Sequence, residues 1–496
     1  MRALFTLIVF LSAVLVTSAQ EMWGVVNGNY AGALSAQINP GSMVGSKLFQ
    51  DIQVGSVDLF LQNNYLFIPK EDYRFLNYLS SNSDLPTYGE DEMLFDRRPD
   101  WDHKRKQIDQ SFRMNGPSVM LAQDHQAFSL YSSARSMTSA WRLPYHLANF
   151  IYENLWYSPQ HDIEYSGKNF STVQLTWAEL GIGYARILNE NSLNRWTAGI
   201  TVSRVMGYAG AYLYGHSIAY LVRDESDTAD VNLTANIHNF NGNIGFSLPI
   251  DYDDNDFSSP GGLFRGGGFS TSLGVTYLKL IKNPSKLRYK HRCEQPYEDY
   301  RYRMGISLLD LGWITFRENA QEHLFEDVHH YWEYINNTEF HSLNSFMREL
   351  SARFYDGDST RSLVDDRITV FLPTALSAQL DYHFRKKWYV NSTVIIPVMY
   401  SIAQVYRPPQ VVVTGRYETD DLEISLPVSL YYFTRLRLGL SARFRSFTVG
   451  TDHLGGFFHV SDFTGINFYF VIKISFPKES CPGLMKKNPC GSLMFE

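Results

Sequence analysis

The feature that most restricts what this chain can fold into is strict period-two alternation, repeated in segments long enough to cross a membrane. Between Arg435 and Arg445, Leu436, Leu438, Leu440, Ala442 and Phe444 fall on one face, and Arg435, Arg437, Gly439, Ser441, Arg443 and Arg445 on the other. Such alternation marks a strand with one face buried and one wet. A soluble sandwich strand also alternates. An unbroken apolar row opposed by arginines is what a strand with lipid outside and water inside requires.

The pattern recurs. Ile466, Phe468, Phe470, Ile472, Ile474 and Phe476 alternate with Asn467, Tyr469, Lys473 and Ser475. Phe269, Thr271, Leu273, Val275 and Tyr277 alternate with small polar residues, and Val370, Leu372, Leu376, Leu380 and Tyr382 with Gln379 and Asp381. Trp388, Val390, Val394, Ile396 and Val398 make a further row. In 173–184 and in 302–313 the apolar row changes phase, which one extra residue explains as a β-bulge. Strands are expected at 33–39, 51–67, 112–122, 126–137, 171–187, 196–208, 229–238, 266–280, 300–317, 368–384, 388–402, 410–417, 421–431, 435–449 and 465–476. That list is odd-numbered, and bacterial single-chain barrels prefer even counts. Either 410–431 is one long strand or a strand such as 242–249 is missing. The reading is an all-β transmembrane antiparallel barrel of about fourteen strands, with sixteen as the alternative.

The N-terminus agrees. Arg2 precedes an apolar run, Leu4–Val16, too short to span a bilayer, and Thr17-Ser18-Ala19 reads as a small-residue cleavage site. This is a secretory signal peptide, 1–19, with Ala19–Gln20 as the cut. The chain carries 33 Phe, 32 Tyr and 9 Trp yet no later long uncharged apolar run. Aromatics without hydrophobic helices suit the girdles of a barrel. The formal charge of −7 argues against nucleic acid as a partner. Cys481 and Cys490 bracket a tail, 481–496, and can close a small disulfide loop in an oxidising periplasm, with Cys293 left over. The expected division is signal peptide 1–19, barrel 20–480 and tail 481–496. Three insertions interrupt the barrel: the polar 70–111; 143–156, with a short helix; and 318–365, with helical spacing in 320–334 and 340–354.

At this point a resemblance enters. The opening NYAGALSAQINPGSMVGSKLFQDIQVGSVDLFLQNNYLFI resembles the start of a Bacteroidota family known only as domain of unknown function 5723, carried by Asn29, Ala31, Gly32, Asn39, Pro40, Asn63, Asn64 and Tyr65. GPSVMLAQDHQAFSLYSSAR (116–135), RMGISLLDLGWITF (303–316) and FTVGTDHLGGFF with DFTGINFYFVIKI (447–474) are similar to later strands of that family. The resemblance implies an outer-membrane barrel loosely akin to long-chain fatty acid transporters, and no established activity. The tail after Phe476 departs from barrels that end on a strand aromatic.

Chemistry is sparse. Glu326 and His329, with His330 and Glu333 a turn further, would place carboxylate and imidazole on one helix face, but no second copy exists, so a solvated face is the reading. Gly266-Gly267-Gly268 precedes a strand, whereas a phosphate cradle needs a helix start. Asp227-Thr228-Ala229 resembles a short glycosylation acceptor. No nucleophile motif, metal set or cofactor fingerprint stands out, so no enzyme, catalytic residue, cofactor or metal is expected. Arg435, Arg437, Arg443, Arg445 and Asp381 are the candidate lumen-lining residues, either an ion-pair girdle or an anion-attracting constriction. Two functions fit: a pore or conduit for a small solute across the bacterial outer membrane, or a non-transport scaffold whose insertion 318–365 meets a protein partner. An open lumen favours the first; a lumen filled by 70–111 or by the N-terminus favours the second. Outer-membrane lipid is the surrounding partner in either case.

Overall fold

The computed structural model describes residues 21–70, 96–97, 102–226, 232–257, 261–284, 291–338, 340–456 and 462–478. In them, fourteen antiparallel strands close into one barrel. They are β1 (Leu48–Asn63), β2 (Lys106–Asn115, continued by Ser118–Gln123), β3 (Gln126–Leu143), β4 (Glu164–Asn191) and β5 (Asn194–Asp224). Next come β6 (Leu233–Ser247 and Gly266–Leu280), β7 (Tyr300–Phe316 and Ala320–Trp332) and β8 (Leu363–Asp365, Ile368–Phe371 and Ala375–Arg385). The wall finishes with β9 (Trp388–Pro397), β10 (Gln410–Glu418), β11 (Leu422–Tyr431), β12 (Arg435–Leu438 and Leu440–Phe444), β13 (Phe447–Thr451) and β14 (Gly465–Pro477). β14 pairs back onto β1, from Leu48 opposite Pro477 to Gln62 opposite Gly465. No sheet edge is left open, as a barrel in lipid requires.

The faces follow the alternation. On β14, Asn467, Tyr469, Val471 and Lys473 are buried while Phe468 and Ile474 are exposed. On β12, Leu436, Leu438, Leu440 and Phe444 are exposed, and Arg437, Ser441 and Arg443 are buried. Of the two expected bulges, the one in 302–313 occurs, where the β6–β7 register shifts opposite Leu309 and Asp310. The one in 173–184 does not, because the extra residue in the β4–β5 ladder is Tyr208 of β5. β4 keeps one phase throughout 171–185, its odd-numbered residues facing inward, and the apolar row changes because the inner face itself turns apolar. Val173, Leu175 and Trp177 are buried inside, while Leu180 and Ile182 face outward.

Several expectations are corrected, and the corrections compensate in the strand count. Residues 33–39 are not a strand; Gly32–Gln37 is a 3-10 helix inside the barrel. The single strand 435–449 is two, because Arg445 adopts φ 52 in a tight turn between β12 and β13. The two strands 229–238 and 266–280 are one wall strand, β6, interrupted by 248–265, since β5 pairs with both parts. Residues 410–431 are two strands, not one. The helix expected over 320–334 is the strand Ala320–Trp332. Register shifts at Phe325/Val328 and Val328/His330 break its alternation, so buried Ala320, Phe325, Val328 and Trp332 fall at spacings that mimic a helix. The helix expected in 340–354 exists as Leu343–Phe354, and that in 143–156 as Tyr145–Glu153. Strand β2 begins at Lys106, so the 70–111 insertion is shorter than expected.

At one end the connections are mostly tight, at 124–125, 192–193, 386–387, 419–421 and 445–446. At the other most are long, the three-residue turn 432–434 excepted. There β4 and β5, 28 and 31 residues long, project past the barrel with parts of β6 and β7. Helices α1 (Tyr145–Glu153) and α2 (Leu343–Phe354) cover one face of that projection, packing Phe150, Leu343 and Met347 against Tyr220, Phe325, Val328 and Trp332. Ser342 caps α2 by accepting from Ser345 N, as N-caps do.

Residues 21–47 never reach the wall. They fold inside it as a plug, two 3-10 helices (Gly32–Gln37 and Pro40–Gly45) with nearly every residue buried. The entry needs a left-handed residue: Gly32 has φ +61, and a Cβ there would strike the Asp51 carboxylate. Asn39 caps the second helix through its side chain onto Gly41 N, with Pro40 at the first position. The signal peptide with Ala19 and Gln20, the Asp227-Thr228-Ala229 motif, and Cys481 and Cys490 lie outside the described residues. Cys293, expected as the leftover thiol, is disulfide-bonded.

Candidate functional site: the plugged lumen

A charge inside a barrel wall is tolerable only if paired or hydrated. In the lower lumen, toward the tight turns, the pairing runs through the plug. Asp381 Oδ2 accepts from Arg416 Nη2 and Arg303 Nη2, both at 2.9 Å, and lies 2.7 Å from the Tyr300 hydroxyl. Arg416 Nε reaches Glu418 at 3.0 Å, and Glu418 in turn accepts from Asn29 Nδ2 at 2.8 Å. Arg303 also donates to the Asn27 carbonyl at 2.9 Å. Wall and plug therefore share one ionic lattice, in which Arg416, Glu418 and Asp381 are wholly buried.

The expected lumen residues divide. Arg443 faces inward, pairs with Glu423 at 3.2 Å, donates to the Asp420 and Thr419 carbonyls, and stacks 4.4 Å from the Tyr30 ring of the plug. Arg437 is buried, donates to Gln62 at 2.8 Å and lies over the Tyr431 ring at 3.6 Å. Arg435 reaches the Asn63 carbonyl at 3.1 Å. Asp381 faces inward but meets Arg303 and Arg416, not Arg435, Arg437, Arg443 or Arg445. Arg445 is a correction: the strand ends at Phe444, so its side chain leaves the inner row and pairs on the exterior with Asp421 at 3.4 Å, both more than two-thirds exposed.

A second layer lies higher. Arg135 holds Asp310 through two hydrogen bonds of 3.0 Å, Arg407 adds another at 3.2 Å, and Arg407 also pairs with Glu21 at the start of the plug. Arg113 donates to Gln37 of the plug at 2.7 Å. Asp310 reaches this point because the bulge in β7 gives it φ 51. Cavities between plug and wall hold about 20, 30 and 50 Å³. That is room for one or a few waters, not for a solute passage.

Above this layer the interior changes character. Val173, Leu175, Trp177, Val205, Ile314, Phe316, Val370 and Leu372 face inward as an apolar lining. What covers it is not wall but the segment 398–409 between β9 and β10, which turns into the barrel and places Ala403 and Val405 in the same cluster. Phe371 N donates to Ala403 O at 2.8 Å and Val405 N to Phe371 O at 3.1 Å. Tyr406 stacks on Trp141 across the mouth.

Sequence reasoning missed Arg416, Arg303, Arg135, Arg407 and Lys473. One signal was available: a lone cation at mid-height of a lipid-crossing strand points inward, as Lys473 does within NFYFVIKISF. Local reasoning could have paired Arg303, directly across the β7–β8 ladder from Asp381, and Arg416, two residues from Glu418. By contrast, Arg135 meets Asp310 from a strand that is not its neighbour, and Arg407 meets Glu21 of the plug. The Glu326, His329, His330 and Glu333 set lies on β7 and its end, and among the described residues no group of three or more His, Cys, Asp or Glu is arranged to hold a metal. In the projecting region His146 is buried between the Tyr220 hydroxyl at 2.7 Å and the Ser166 carbonyl at 3.3 Å, stacked on Tyr165. Burial pushes its imidazole down to about 4.

The family model described as "Family of unknown function (DUF5723)" matches residues 40–452. The chain belongs to that family. No curated protein matches it. Among solved structures, it is similar to a TodX deltaS2S3 mutant monoaromatic hydrocarbon channel: 9% identity, 90% of this chain and 95% of that chain, TM-score 0.39. It is also similar to the Pseudomonas putida toluene transporter TodX (8%, 92% and 94%, TM-score 0.36) and to a Pseudomonas aeruginosa FadL homologue (11%, 92% and 98%, TM-score 0.29). Likeness at that level carries nothing about what this chain does.

Proposed function

We infer that this protein is a gated conduit of the bacterial outer membrane for a small solute with an apolar part, closed in the conformation described. One observation carries the reading: the upper lumen is lined by apolar side chains that face inward, and a chain segment, 398–409, fills it instead of wall. A barrel that served only as a brace would gain nothing from turning Trp177, Ile314 and Leu372 away from lipid. Short turns in such barrels face the periplasm and long loops the exterior. The apolar mouth and the helical projection then face outward, and the plug sits at the periplasmic half.

The plug itself favours the second reading, a non-transport scaffold presenting the projecting region, with part of 318–365, to a protein partner. Planar bilayers and proteoliposomes separate the two. Wild-type protein should be closed or nearly so, and Val405→Asp, which unseats segment 398–409, should raise entry of a fluorescent amphipathic probe. If neither form passes the probe while both keep the heat-modifiable folded band, the conduit reading fails and the scaffold reading stands. Arg443 in its Glu423 pair braces plug to wall on either reading, so Arg443→Gln should loosen the plug instead of changing anion preference alone.

A further inference from the structure

Arg204 is a cation in a lipid-facing row. On β5 it follows Ile200 and Val202, both exposed, and it stands opposite Leu180 of β4 and Phe269 of β6, also exposed. A charge at the bilayer midplane is costly, so its height decides its meaning. Trp196, Tyr277 and Tyr302 form an aromatic run at the tight-turn end, with neighbouring rings 5.0 and 6.1 Å apart. Arg204 lies eight residues further along β5. At roughly 3.3 Å per residue and a tilt of about 40° it stands roughly 20 Å above that girdle. That is the far edge of an apolar band about 25 Å tall, level with headgroups.

Its seat is built by the glycines that open the second part of β6. A Cβ on Gly267 would come within 2.7 Å of Arg204 Nη2, so the guanidinium lies flat where a side chain is missing. Nη1 donates to the Gly268 carbonyl at 3.3 Å, and the group stacks 5.0 Å from the exposed Phe269 ring. No carboxylate pairs with it among the described residues. Guanidinium is the group that matches phosphate bidentately, and its remaining donors are unused.

We propose that Arg204, on its Gly267–Gly268 saddle beside Phe269, binds the phosphate of an outer-leaflet lipid headgroup. The inference depends on the barrel lying in a membrane and not on whether it conducts. The test uses the full-length protein in non-ionic detergent, mixed with lipid A or with its dephosphorylated form, and native mass spectrometry of retained lipid. Wild type should hold lipid A about tenfold more tightly than Arg204→Gln, the scale of a charge-assisted hydrogen bond. Gly267→Val, which keeps the arginine but fills its seat, should lose part of the same affinity. The dephosphorylated lipid should bind wild type and both variants alike. Equal retention of lipid A by wild type and Arg204→Gln overturns the site. Displacement of lipid A by inorganic phosphate would mark a free-anion site and overturn the lipid assignment. Removing a charge from a lipid-facing row does not threaten folding, and the heat-modifiable band checks it.

Discussion

The lower and upper halves of this lumen solve opposite problems with the same strands. Below, the inner rows carry Asp381, Arg416, Glu418 and Lys473, and a polar plug threaded with Asn27, Asn29 and Tyr30 satisfies them. Above, the inner rows carry Val173, Trp177, Ile314 and Val370, and an apolar segment of the chain's own covers them. In three strands the switch coincides with a defect in the ladder. In β5 the bulge at Tyr208, in β7 the bulge at Leu309 and Asp310, and in β8 the break between Phe371 and Ala375 shift the inward row. β4 instead keeps its phase, and its inward row itself changes from Glu179 and Ala185 to Val173, Leu175 and Trp177. A one-residue slip flips every later side chain, so an irregular strand can be lipid-compatible along its length and still line two different interiors.

The sharpest way to break the contrast is to unbalance the lower lattice. Arg416→Met leaves Asp381 and Glu418 short of a buried partner and should cost about 3–5 kcal/mol, read as a lower urea midpoint in micelles. An unchanged midpoint would mean that water, not pairing, neutralises this layer. Next is the outer surface. Leu440→Arg should cost about 2–4 kcal/mol as a lipid-facing charge. Ser441→Arg, which a bare lumen would tolerate, should do comparable harm, because Ser441 Oγ lies 3.3 Å from the Gly24 carbonyl of the plug. A mild Ser441→Arg would mean that the plug leaves readily.

In the upper half Val405→Ala removes two buried carbons and should cost about 1–2 kcal/mol. The loss should appear as faster amide exchange around 398–409 with the plug unchanged, since distant sites add independently. If plug and segment loosen together, the halves are one cooperative unit. The smallest expected effect lies outside both. His146 is held neutral, its folded value near 4 against the ordinary 6.5. The unfolded state takes the proton first, so α1 and its sheet keep full stability above pH 6.5 and lose it as pH falls toward 4. Exchange in α1, corrected for intrinsic rates, should quicken over that window and flatten in His146→Gln.

The wall was legible in the sequence wherever alternation ran unbroken, as in β12 and β14, because lipid on one side and polar groups on the other leave each residue one choice. It was illegible where a bulge changed phase twice, as in Ala320–Trp332, and where a residue met its partners from all sides, as in 33–39. The even strand count came out right through errors that offset one another. The lumen charges could be placed but only partly partnered. Glu423 sits across the ladder from Arg443 and Arg303 across it from Asp381, within reach of local reasoning, whereas the partner of Arg437 on β1 and the second partner of Asp381 on β10 are not on neighbouring strands. The plug left no trace in periodicity at all.

A cylinder closed by its first and last strands around its own leading segment sets an order of events. Trp23 bonds Asp452 across a separation of 429 residues, and β1 seals against β14 only when nearly the whole chain has arrived. The interior cannot be loaded through a finished wall without undoing the ionic lattice. Residues 21–47 must therefore already lie within the curling sheet when its seam zips shut, so a segment that precedes every wall strand is also a template on which the last of them docks.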